Sequence, residues 1–165
     1  MAGKRLELGP TGEAVAHNIA TARKWQNLTW TDVSRRLEER GRRIPPLGIR
    51  RIEEGERRVD ADDLVAIAAA LEVSPATLLM PPTSTPDTKA VASGIEPTDA
   101  LELWRWITAT AGRPPGSAVE VDLEWMHRAR PAWTFRQLSD DELLEQHNAR
   151  HHAERERKAR ARGND

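Results

Sequence analysis

Cysteine and tyrosine are absent from the 165-residue chain, phenylalanine occurs once, and only Lys4, Lys24, Lys89 and Lys158 among its 25 basic residues are lysine. Without cysteine there is no disulfide framework, no thiol nucleophile and no thiolate site for zinc or an iron–sulfur cluster. Nothing points to an oxidising compartment, so the cytoplasm is the expected location. Long hydrophobic runs are missing as well: no window nears eighteen consecutive apolar residues, and Met1 to Pro10 lacks the apolar stretch of a signal peptide. Neither a membrane nor a secreted protein is expected. The chain also lacks a Ser/His/Asp order, a phosphate-binding loop and a carboxylate pair in an apolar setting, so no enzyme and no cofactor is expected.

What the chain has in abundance is charge, 31% of residues, with a net formal value of only −1. That average conceals blocks of opposite sign. Residues 35–58 carry nine arginines against five glutamates, whereas residues 60–72 hold Asp60, Asp62, Asp63 and Glu72 and no base. Residues 150–162 return to six bases and two acids.

The apolar pattern of residues 11–80 predicts five short helices. Val15, Ile19 and Ala22 mark one face of a helix over about 11–25. Thr29 with Asp32 three residues on caps a second helix, whose inward stripe is Val33 and Leu37 and which Gly41 ends. Pro45 and Pro46 start a third, with Ile49 and Ile52 inside and Gly55 as its stop. Asp60 caps a fourth, with Leu64, Ile67, Ala68 and Leu71 inward, and Ser74-Pro75 opens a fifth carrying Leu78 and Leu79. Two helices joined by a turn, the second short and basic, form a scaffold that lays one helix in a DNA major groove.

Asn27-Leu28-Thr29, Val33-Ser34, Ile49-Arg50-Arg51-Ile52-Glu53-Glu54-Gly55 and the run from Leu64 to Ser74 stand in an order that resembles the lambda-repressor-like (XRE) helix-turn-helix family over about residues 12–80. The resemblance implies a close helix approach at Ser34, a partly buried Arg23–Glu53 ion pair, and a recognition helix bearing Arg50 and Arg51. It also implies phosphate contacts from the following loop at Arg57 and Arg58. Two features depart from the family. Trp30 replaces the usual glutamine at the start of the second helix, and its indole N–H can only donate, for instance to a phosphate. The turn holds about five extra residues within 38–43, from which Arg42 and Arg43 are expected to reach the groove. The expected DNA-contacting set is Trp30, Arg42, Arg43, Leu47, Arg50, Arg51, Arg57 and Arg58, because arginine pairs bidentately with guanine and with phosphate.

The second half reads differently. Residues 81–97 are rich in Pro, Ser and Thr and read as a linker, leaving 98–165 as a mainly helical interaction region. Leu101, Trp104 and Ile107 lie at helical spacing, and two arrangements cover such a stripe. One is a homodimer through residues 98–111, the other a fold-back onto the first domain. Val119, Val121 and Leu123 alternate like a short strand. Ser139 with Glu142 reads as a capping box, and residues from 146 onward form a charged helix without an apolar stripe. His147, His151 and His152 lack the matching carboxylate of a metal site. The expected whole is an all-α chain with a five-helix domain over 11–80. It binds double-stranded DNA as a sequence-specific transcriptional regulator, a repressor of a host or of a phage or mobile element (an immunity repressor). The rival is an antitoxin or adaptor acting through protein binding by the C-terminal region.

Overall fold

Each of the first five helices starts where a proline or a capping side chain meets the onset of a 3.6-residue apolar repeat. The computed structural model describes residues 7–110, residue 115 and residues 123–135, divided between two compact units, Met1–Glu120 and Val121–Asp165. Helix α1 spans Pro10–Trp25 with proline at its first position, where a missing N–H costs nothing. Helix α2, Trp30–Glu38, opens on a reciprocal cap: Thr29 Oγ1 accepts from Asp32 N at 3.1 Å while Asp32 Oδ2 accepts from Thr29 N at 3.0 Å. Helix α3, Pro46–Glu53, lies between Gly41 and Gly55, whose φ angles of +76° and +72° only glycine adopts without strain. Helix α4, Ala61–Ala70, is capped by Asp60, which accepts from Asp63 N at 2.7 Å, and α5, Pro75–Leu79, by Ser74.

The stripes close on one another. Val15 and Ile19 of α1, Val33 and Leu37 of α2, Ile49 and Ile52 of α3, Ile67, Ala68 and Leu71 of α4, and Leu78 of α5 form one core together with Ile44 from the turn. At about 1.5–3 kcal/mol for each large side chain buried, this cluster stabilises the domain more than any polar contact described below. Helix α3 packs on both α1 and α2, and Ser34 Oγ donates to Ile44 O at 2.7 Å, fastening the enlarged turn to α2 at the expected close approach.

A β-hairpin over residues 89–99 overlaps the second half of the expected linker. Strands β1, Lys89–Ala92, and β2, Ile95–Asp99, pair antiparallel, so the chain is not all-helical. Short strands with small side chains, and Pro97 inside β2, conceal the pattern; proline fits because each strand of a two-stranded sheet is an edge. The hairpin docks on α1: Ser93 N donates to Thr11 Oγ1 at 2.9 Å and Ser93 Oγ accepts from Thr11 N at 3.4 Å. Gly9 offers no side-chain cap to α1, and Ser93, 82 positions beyond Thr11, accepts from a first-turn N–H instead. Helix α6, Ala100–Ile107, covers the hairpin with Ala100 and Leu103, while Trp106 and Ile107 pack at the margin of this small core. The expected Leu101–Trp104–Ile107 stripe is therefore split, with Ile107 turned inward and Trp104 left 36% exposed.

In the second unit, α7 spans Leu123–Ala129 and a 3₁₀ turn covers Ala132–Phe135. Leu123 thus begins a helix where alternation suggests a strand. Val119, Val121, the Ser139–Glu142 box, the three C-terminal histidines and the charged terminal run lie outside the described residues.

The α2 cap makes a pH prediction. Its hydrogen bonds, first of all that from the Thr29 hydroxyl, hold the Asp32 carboxyl below its ordinary 3.8, at about 2. A carboxyl whose pKa is lower in the folded chain stabilises the fold above its ordinary pKa and loses that effect as pH falls through the folded value. Asp32→Ala should therefore lower the thermal midpoint at pH 7, and the gap from the wild type should close between about pH 4 and pH 2. A gap that persists unchanged at pH 2 would contradict the ionised cap.

Candidate nucleic-acid interface

The outward face of α3 follows from its inward one. With Ile49 and Ile52 fully buried, the spacing i, i+3, i+4, i+7 brings Leu47, Arg50, Arg51 and Glu54 to the opposite side, and all four are exposed. Leu47, 55% exposed, is an apolar side chain that the core does not require there. Such a residue suits contact with a thymine methyl group, as arginine suits the guanine edge. Just before the helix, Arg43 is 89% exposed, with only a loose 3.9 Å approach to Glu38.

Beneath this face lies a carboxylate that organises three elements. Glu53, 7% exposed, accepts from Arg23 Nε at 2.6 Å and Arg23 Nη2 at 2.8 Å, and from Trp30 Nε1 at 3.1 Å. The Arg23–Glu53 pair implied by the family resemblance is thus present and bidentate, joining α1 to α3. Arg23 Nη1 also donates to Leu28 O at 2.9 Å, so the guanidinium fastens the turn before α2 as well. The hydrogen bond to Glu53 raises the Arg23 pKa against the opposing effect of burial.

Trp30, the first residue of α2, is 38% exposed and already engaged within the protein. Its indole N–H is given to Glu53, not held out for a phosphate, and its ring is flanked by two guanidinium carbons, Arg23 at 5.2 Å and Arg50 at 5.8 Å from the centroid. Arg50 is further held by Glu54 Oε1 at 2.7 Å, a bond that raises its pKa. Arg51 makes no ion pair with a described residue and remains exposed, the most available cation of the helix.

Arg42 and Arg57, both expected at DNA, turn instead to Asp63. Arg42 Nε lies 2.7 Å from Asp63 Oδ1 and Arg57 Nη2 2.8 Å from Asp63 Oδ2. Arg42 also reaches Asp60 at 3.3 Å. Arg58 donates to Glu7 O at 3.0 Å. The structure thus brings Leu47, Arg50 and Arg51 together on the outward face of α3, leaves Arg43 exposed in the turn before it, places Trp30 beside Arg50, and engages Arg42, Arg57 and Arg58 within the protein. Asp63 and Glu54 escape sequence reasoning. Asp63 had one signal: it precedes Ile67 by four residues, which puts a carboxylate on the inward face of α4. Among the described residues no group of three His, Asp or Glu side chains is arranged to hold a metal, and no helix is long and apolar enough to cross a membrane.

Glu53→Ala would leave Arg23 partly buried without its counter-charge. A loss of about 3 kcal/mol or more in unfolding free energy is expected from urea titration of the full chain, since removing one partner of a buried pair leaves an uncompensated charge. A loss below about 1 kcal/mol would class the pair with surface ion pairs.

Comparison with known proteins agrees with this geometry. Residues 19–78 match the family model described as helix-turn-helix, a segment that runs from the middle of α1 into α5. No curated protein and no solved structure matches the chain. The segment 19–78 is thus a helix-turn-helix domain of the lambda-repressor-like (XRE) kind, a kind of domain that binds DNA.

Proposed function

We infer that the protein is a sequence-specific repressor, acting in the cytoplasm on double-stranded DNA and carrying out no catalysis. The observation that carries this reading is the exposed trio Leu47, Arg50 and Arg51 on the outward side of the short helix α3, with the exposed Arg43 in the turn just before it. Nonspecific electrostatic binding needs no such mixture; base readout does, because arginine addresses guanine and an apolar side chain addresses thymine. Arg50 and Arg43 serve the phosphates or flanking bases, and their contacts supply affinity that falls steeply with salt. Arg51 reads a base.

Repression follows from occupancy, since a domain lying in the groove excludes other proteins from the same stretch of DNA. The regulated element belongs to the host, or to a phage or mobile element whose immunity it would maintain. Two copies act on a two-fold operator, with half-sites about one helical turn apart. Their contact lies within residues 98–111, at Leu101 and Trp104, because Ile107 is used inside the protomer.

Selection of bound fragments from random duplex DNA tests the reading. Enrichment of one motif is expected, and Arg51→Ala should lose about 1–3 kcal/mol on that motif with little change on random DNA. Recovery of no motif would contradict sequence-specific regulation, and equal losses on both duplexes would move Arg51 to the phosphates.

A further inference from the structure

Two basic segments flank the recognition helix α3, the enlarged turn before it and the loop after it, and one buried carboxylate holds both. Asp63 is 2% exposed in its side chain. Its Oδ1 accepts from Arg42 Nε at 2.7 Å and its Oδ2 from Arg57 Nη2 at 2.8 Å, so each oxygen serves one segment. Asp60 completes the arrangement by accepting from Asp63 N at 2.7 Å and pairing with Arg42 Nη2 at 3.3 Å. The hydrogen bond to Asp63 is also the main cause that raises the Arg42 pKa. Arg57 reaches the carboxylate past Gly48 of α3: a Cβ built on Gly48 would stand 2.9 Å from Arg57 Nη1 and 3.1 Å from Ile44 Cγ2. Glycine at that position leaves the guanidinium its room.

We propose that Asp63 is a positioning residue for DNA recognition, clamping Arg42 and Arg57 so that α3 and the neighbouring Arg43 are presented in one fixed pose. The residues concerned touch no base themselves. The clamp is separate from the Glu53 cluster, which ties α3 to α1 and α2, whereas Asp63 ties the two ends of the α3 segment to α4. Holding the two arginines inside the protein also withholds them from phosphate, which lowers indiscriminate binding. This inference rests on the sequence-specific reading above.

Charge makes the test decisive. Removing a negative charge from a DNA-binding surface raises affinity for any duplex if only net electrostatics matters. The clamp requires the opposite on the true site. Asp63→Asn in the full chain should weaken binding to the duplex selected from random DNA about tenfold or more, a loss of the size of a misplaced base contact. On a scrambled duplex the same variant should bind equally or more tightly. Gly48→Ala keeps every charge and gains helix propensity, yet crowds Arg57 most closely and the buried Ile44 less so, and should lower the same ratio between selected and scrambled duplexes. Parallel changes on both duplexes in both variants, or an unchanged ratio, would overturn the proposal.

A measurement without DNA covers the case in which no duplex is selected, which would sink the functional reading alone. Amide hydrogen exchange of the free full chain should quicken in residues 39–57 in both variants and stay near wild type in α1 and α5. Exchange that quickens equally through all five helices, or nowhere, would reduce Asp63 to a general stability residue and contradict the clamp.

Discussion

An eight-residue helix has no independent stability in water, so everything the recognition surface can do depends on what holds α3 from outside. The side chain that does most to orient it is Glu53, a nearly buried carboxylate that receives the Arg23 fork and the Trp30 indole at once. Desolvation offsets much of the attraction in such a cluster, so its contribution to folding is small compared with its contribution to geometry. Each donor comes from a different segment: Arg23 from the last turns of α1, Trp30 from the first residue of α2. The carboxylate thus ties α3 to α1 and α2 at one point.

Stability and orientation thus come from different residues. Ile19, Leu37, Ile49, Ile52, Ile67 and Leu71 are fully buried and exclude water from the centre of the domain. A greasy contact of this kind is tolerant of small rotations. Directional hydrogen bonds are not, and they hold Glu53 in the last turn of α3 and Arg42 and Arg57 in the segments before and after it. The division explains why a chain with so many arginines has its cations sorted: Arg23, Arg42 and Arg57 serve buried carboxylates, while Arg43 and Arg51 face outward. Arg50 lies between the two classes, stacked on Trp30 and paired with Glu54, close to the surface and already ordered.

The five-helix part was legible in the sequence because its signals are local. Thr29 with Asp32, Asp60, and Ser74 before Pro75 each act on backbone groups two or three residues away, and Gly41 and Gly55 end a segment by their own φ angles. The hairpin was not legible, since its strands are short, its inward residues are the small Ala90 and Ala92, and what holds it is a serine meeting a threonine 82 positions away. The apolar stripe of α6 was misread for a related reason: which of two overlapping faces is buried depends on the hairpin, and the hairpin selects Leu103 over Trp104. In the candidate interface, residue type alone nominated arginines, and only packing distinguishes those held by Asp63 from those left for a ligand. Trp30 shows the same limit, because a donor at a helix start reads as a phosphate contact until a buried acceptor is found beside it.

The central claim is that α3 is presented to DNA by internal carboxylates and is not shaped by DNA itself. A crystal structure of the full chain bound to a selected duplex measures this most directly. The account predicts α3 in the major groove with Arg51 within hydrogen-bond distance of a base edge, while Arg23 stays on Glu53 and Arg42 and Arg57 stay on Asp63. A complex in which Arg42 and Arg57 have left Asp63 for phosphates, or in which the Leu47–Arg51 face remains in solvent, would contradict it.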